Sequence, residues 1–148
     1  VPKEYRLGVV GVFVAPDGKI LVCERADRLS AWQFPQGGID DGEDPTQAIK
    51  REIMEELGCG SFEILSTSTA WTKYDFPEEF ETKITKVYCG QKHLWFHLRF
   101  EDGKGPDLSL SDGEFRAFKW VDPKDVLGGV ALWKRTAYEE GLKLLKLL

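Results

Sequence analysis

Glu52, Glu55 and Glu56 stand close together in the stretch REIMEELG, which begins at Arg51. On a helix, about 100° per residue gathers these carboxylates on one arc of about 100°, beside an apolar arc formed by Ile49, Ile53 and Leu57. Like charges at this spacing repel by about a few tenths of a kcal/mol per pair. A solvated face would normally intersperse lysines, yet here only Arg51, four residues before Glu55, offers a countercharge. Hard divalent cations take oxygen ligands in such an arrangement. The competing reading is an acidic surface face. Glu43, ahead of the helix, adds a carboxylate, and the glycines before it give the chain freedom for sharp turns. Both weigh towards a site.

The elements that must position these groups can be read around them. In WQFPQGGIDDGEDP, Trp32 to Pro45, Gly37 and Gly38 supply a turn, and Asp44 is a good N-cap with Pro45 at the first helical position. Gln47 completes a capping box, and Gly58 supplies the stop for a helix over 46–57. Upstream, LGVVGVFVA from Leu7, the turn PDGK and ILVCE from Ile20 read as strand, turn, strand. Downstream, strands are expected from Phe62 towards Trp71, over Lys83–Cys89, over Leu94–Phe100 and over Phe115–Val121. Thr72–Lys83 reads as an irregular excursion, DPKD as a helical turn, and Leu132–Leu147 as a terminal helix. Two helices among about six strands indicate an α/β or α+β pattern.

The 148 residues fit one domain, 1–148, with a full-sized core. No run approaches a membrane span and no secretory leader is visible, so no membrane partner and a cytoplasmic location are expected. Cys23, Cys59 and Cys89 fit no disulfide framework or compact metal motif. A net charge of −5 argues against a broad nucleic-acid surface but permits contact with one phosphorylated end. His93 and His97 share a strand face about 13 Å apart, and neither is expected to ligate metal.

From Gly37 through Glu43 to REIMEELGC, the spacing resembles the Nudix box, G-x5-E-x7-R-E-U-x-E-E-x-G-U, with U a bulky aliphatic residue. Cys59 at the last U is the one mild departure. The resemblance implies a Nudix α/β/α sandwich around a mixed sheet. Tyr5-Arg6, WQFPQGG, YDFP and GQKHLWF resemble one branch of that superfamily, and the likeness extends from Arg6 to the terminal helix. That branch holds bacterial RNA pyrophosphohydrolases and related dinucleoside polyphosphate hydrolases, including plant counterparts.

The resemblance implies that Glu52, Glu55 and Glu56 hold Mg²⁺ or Mn²⁺, joined by Glu114 from SDGEFRAFKW. It also implies that Arg51 orients the box glutamates and that Glu43 supports the loop or an outer ion. Arg6 would approach the 5′ phosphates and Trp133 would stack a base, while a core position is the competing reading of Trp133. Gln36, Tyr74, Lys73, Lys86 and Gln91 are further pocket candidates. Glu52 or Glu56 is the candidate general base, with Glu114 as alternative. The implied reaction is metal-dependent removal of pyrophosphate from a 5′-triphosphorylated RNA end. Alternatives are dinucleoside polyphosphate hydrolysis, a catalytically silent binding domain, and sanitation of oxidised nucleotides. No obligatory protein partner is expected.

Overall fold

A computed structural model describes residues 2–148 of the chain. Its centre is β1 (Glu4–Phe13), whose apolar run is buried on both faces. Val9 and Phe13 enter one core with Ile49, Ile53 and Leu57 of α1 (Pro45–Leu57). Val10 and Val12 point the other way, into a second core with Tyr138 and Leu142 of α3 (Leu132–Leu144). The two-residue period of a strand thus places one helix on each face. β2 (Ile20–Arg25) divides its residues likewise.

β1 pairs in parallel with β7 (Tyr88–Phe100) and antiparallel with β4 (Gln36–Gly38). β5 (Phe62–Thr67) and β6 (Thr72–Asp75) are antiparallel to β7, which makes the sheet mixed. A second sheet runs β3 (Trp32–Gln33), β2, β8 (Phe115–Val121). The layers are those of the α/β/α sandwich expected from the box.

Several elements differ from the sequence reading. The two strands expected over Lys83–Cys89 and Leu94–Phe100 are instead a five-residue helix, α2 (Lys83–Val87), followed by one 13-residue strand. Thr82 caps α2 through a reciprocal box with Thr85, and β1 and β6 supply β7 with ladders across GQKH. Thr72–Asp75 is a strand because β7 offers it an edge, although its sequence reads as loop. The Gly37-Gly38 pair is extended and paired to β1, and the turn comes later, at Gly42 with φ of 79°. The terminal helix ends at Leu144, before Lys146 at φ of 61°.

Candidate active site

α1 begins as its capping residues dictate. Asp44 accepts from the Gln47 backbone, Gln47 returns the bond, and Gly58 ends the helix in the left-handed conformation at φ of 65°. The helix docks Ile49, Ile53 and Leu57, so the neighbouring arc turns Glu52 and Glu56 into the edge of the core, where both are buried. Glu55 lies further round and its side chain is 47% exposed.

Arg51 ties this frame together. Its Nε and Nη2 donate to the two oxygens of Glu43 at 2.8 and 2.9 Å, its Nη1 to Glu52 Oε1 at 2.6 Å, and its Nη2 also to the Gly38 carbonyl at 2.8 Å. Glu43 accepts the Asp40 backbone N–H as well. These donors hold the Glu43 carboxyl down to about 2, the Arg51 hydrogen bond contributing most. Glu43 is therefore engaged in holding the loop. β4 is the other half of the frame. The Gln36 backbone N–H donates to Glu56 Oε1 at 2.9 Å. A Cβ on residue 37 would lie 2.0 Å from the Glu52 carboxyl carbon, so only glycine lets strand and carboxylate approach.

Glu56 is pushed well above the ordinary carboxyl range, first by burial and then by the nearby Glu114 carboxyl. Glu52 is raised by burial against the opposing pull of Arg51. Glu114 reaches Glu56 from the segment before β8, although it lies 58 positions further along the chain. Glu56 Oε2 is buried and has no hydrogen-bond partner among the described residues. A buried anionic oxygen without a donor is costly unless a cation offsets it, and carboxylate oxygens are the ligands that Mg²⁺ and Mn²⁺ take. The donor set therefore fits a hard divalent ion. As they stand, no three His, Cys, Asp or Glu side chains among the described residues are gathered tightly enough to hold one. Arg51 draws Glu52 aside, and Glu55 points outward.

A cleft of about 870 Å³ opens beside Glu114 and Gly37. Its lining brings the cations Arg6, Arg25 and Lys134 and the aromatics Trp133 and Phe80 together with acidic Asp27, Glu79 and Glu81. Arg6, on β1, packs its guanidinium against Gly38, and no hydrogen bond or ion pair holds it among the described residues. Trp133 is half-buried, edge-on to Tyr74 and Phe80 at 5.2 Å each, and contributes to the wall. Gln91 also lines the cleft, whereas Lys73 and Lys86 do not. Tyr74 lies behind the wall, 6% exposed, with its ring against Trp133. Gln36 borders the cleft but spends its amide on Tyr74 and Tyr138.

Lys134 and Arg25 were not among the residues singled out from the sequence. Lys134 Nζ donates to Gln33 Oε1 at 3.1 Å, which also accepts from Arg25 Nη1 at 3.4 Å. Burial lowers the Lys134 ammonium to about 8, with Arg25 and Arg28 adding to the shift. The signal was present. Lys134, Ala137, Tyr138 and Gly141 form the buried stripe of α3, and a lysine in such a stripe demands a reason.

Residues 4–141 match the NUDIX domain family. The chain belongs to the Nudix family. Among curated Nudix relatives, it is similar to RNA pyrophosphohydrolase of Helicobacter pylori strain G27, with 38% identity over 97% of this chain and 95% of the relative. It is similar at 38% identity to Nudix hydrolase 25 of Arabidopsis thaliana, over 97% of this chain and 87% of the relative. Among solved structures, the E. coli dihydroneopterin triphosphate pyrophosphohydrolase superposes with a TM-score of 0.69 at 21% identity, covering 93% of this chain and 97% of the other. That last likeness shows the Nudix fold alone. No helix among the described residues is long and apolar enough to cross a membrane.

Proposed function

We propose that this Nudix protein removes pyrophosphate from the 5′-triphosphate end of RNA, leaving a 5′-monophosphate. One observation carries the reading: a single cleft is lined by Glu114, which lies beside Glu56, and by Arg6, Arg25, Lys134 and Trp133. A nucleoside polyphosphate presents what this lining takes. Its phosphate oxygens suit the cations and its base suits the indole face. The Helicobacter pylori relative, named RNA pyrophosphohydrolase, supports the choice of RNA.

In the reaction, the oxygen of water forms a bond to phosphorus while the phosphorus–oxygen bond to the departing pyrophosphate breaks. Mg²⁺ or Mn²⁺ held by Glu52 and Glu56, with Glu55 and Glu114 completing the oxygen set, would offset the polyphosphate charge and ease deprotonation of the attacking water. Arg51 and the Gln36 N–H hold Glu52 and Glu56 in place. Glu114 meets Glu56 but is held by no arginine or amide among the described residues, which leaves its carboxylate the freest of the set to take the proton. Arg6, Arg25 and Lys134 hold the phosphates, and Trp133 seats the base. Three free cysteines suit a reducing compartment, and we place the reaction in the cytoplasm.

The test supplies purified protein and Mg²⁺ with 5′-triphosphorylated RNA and, in parallel, diadenosine tetraphosphate. Higher kcat/KM on the RNA is expected. Strong preference for the dinucleotide would replace this reading with a dinucleoside polyphosphate hydrolase. No turnover of either substrate, with Mg²⁺ or Mn²⁺, would mark a silent binding domain.

A further inference from the structure

Gln36 is 9% exposed, and its polar groups are engaged inside the protein. Its amide oxygen accepts from the Tyr138 hydroxyl of α3, which lies 102 positions along the chain. Its amide nitrogen donates to the Tyr74 hydroxyl of β6 at 3.3 Å. Gln91 donates to the same tyrosine oxygen at 2.8 Å, fixing it from the other side. The backbone N–H of Gln36 then donates to Glu56 Oε1. Because Glu56 Oε2 has no hydrogen-bond partner among the described residues, that N–H is the hydrogen bond that aims this buried carboxylate.

We infer that Tyr138 and Tyr74 are positioning residues that set the Glu56 carboxylate through the Gln36 side chain, an inference that rests on the hydrolase reading above. The Pro35–Gln36 peptide plane that presents this N–H is held on its carbonyl side by the Gly11 N–H at 3.0 Å, and the side-chain amide, held at both ends, restrains it from the Gln36 side. Displacing a reacting group's support by a fraction of an ångström lowers turnover without weakening substrate binding. Gln36 thereby acts as a strut at the border of the cleft. The Tyr74 ring abuts Trp133, so the strut runs from the base-stacking wall to the carboxylates.

Tyr138→Phe tests this with little disturbance, since the ring keeps its stack on Phe34 at 4.9 Å and its edge contact with Trp95 at 5.3 Å. The expected result is a fall in kcat of about tenfold with KM held, the loss corresponding to one hydrogen bond. Gln36→Met, which retains the backbone N–H, should behave alike, and the double variant should be no worse than Gln36→Met alone. In the metal-free protein, the Gln36 amide proton should shift upfield in Tyr138→Phe as its bond to Glu56 loosens. Full kcat in Tyr138→Phe, or a KM rise at constant kcat in Gln36→Met, overturns the inference; so does an unmoved amide resonance. If the wild type hydrolyses neither nucleotide substrate, the proposed function fails, while the amide shift still reports on the strut.

Discussion

Glu52 and Glu56, on the acidic side of the cleft, come from one helix, and most of what braces them lies in the 20 residues before Glu56. Arg6, Arg25, Lys134 and Trp133, on its cationic side, come from β1, β2 and α3, at opposite ends of the chain. The acidic side is held by direct ion pairs and backbone donors. The cationic side is held by the Arg25–Asp27 ion pair, a shared glutamine and aromatic edges. A local frame tolerates variation elsewhere, because its geometry is set by one helix and one strand. A dispersed wall depends on the whole sheet, and can change substrate without disturbing the chemistry. The acidic side should therefore govern turnover and the cationic side affinity.

The largest effect expected is on the acidic side. Glu56→Gln should lower kcat by on the order of 10³, with the fold retained, because it removes charge at the reacting centre. Near-normal turnover at saturating Mg²⁺ would break the comparison. On the cationic side, Lys134→Met should raise KM about ten- to hundredfold with a smaller change in kcat, as for a lost charge-assisted contact. The lysine also predicts a pH dependence. Its ammonium, lowered by burial to about 8, should carry binding below that pH, and kcat/KM should fall above it. Lys134→Arg should remove that alkaline limb, and a limb that persists in the arginine variant assigns it elsewhere. The stability contribution has the opposite sign. Burial disfavours the charged form, so the fold gains as pH rises from about 8 towards the ordinary 10.5, a gain that Lys134→Met abolishes in pH-dependent melting curves.

Trp133→Ala should raise KM about tenfold for a nucleotide substrate and leave inorganic tripolyphosphate unaffected, since stacking acts on the base alone. Equal losses on both would make the indole a structural brace. The smallest effect belongs to Glu55→Gln. Its exposed carboxylate can be replaced by water, so kcat should change by about threefold or less at saturating metal. A loss as large as that of Glu56→Gln would show that depth does not rank the glutamates.

How much could be read in advance follows the same division. Glu52, Glu55 and Glu56 were legible as a group because helical spacing alone puts them on one face, while the role of Arg51 came from the resemblance. Lys134 was not singled out, although its place in the buried stripe of α3 marked it. Tyr74 was legible as an aromatic near the site. Its position behind Trp133 depends on β6 pairing with β7, and a polar segment rich in turns does not announce that pairing. The helix at Lys83–Val87 was hidden by β-branched Ile84, Thr85 and Val87, which favour strands but here lie outside any ladder.

The sequence by itself determined the α1 helix, its caps, the order of its acidic face and the resemblance that named the chemistry, because these depend on neighbours within a few turns of chain. Only the tertiary structure decided that Glu52 and Glu56 are buried while Glu55 is not, and that Glu114 meets Glu56. It also decided that Gln36, at the border of the cleft, gives its amide to two tyrosines. Those outcomes depend on which faces β1 and β7 leave for α1 and α3 to cover, and on the close approach that Gly37 permits. Spacing along the chain carries no record of either.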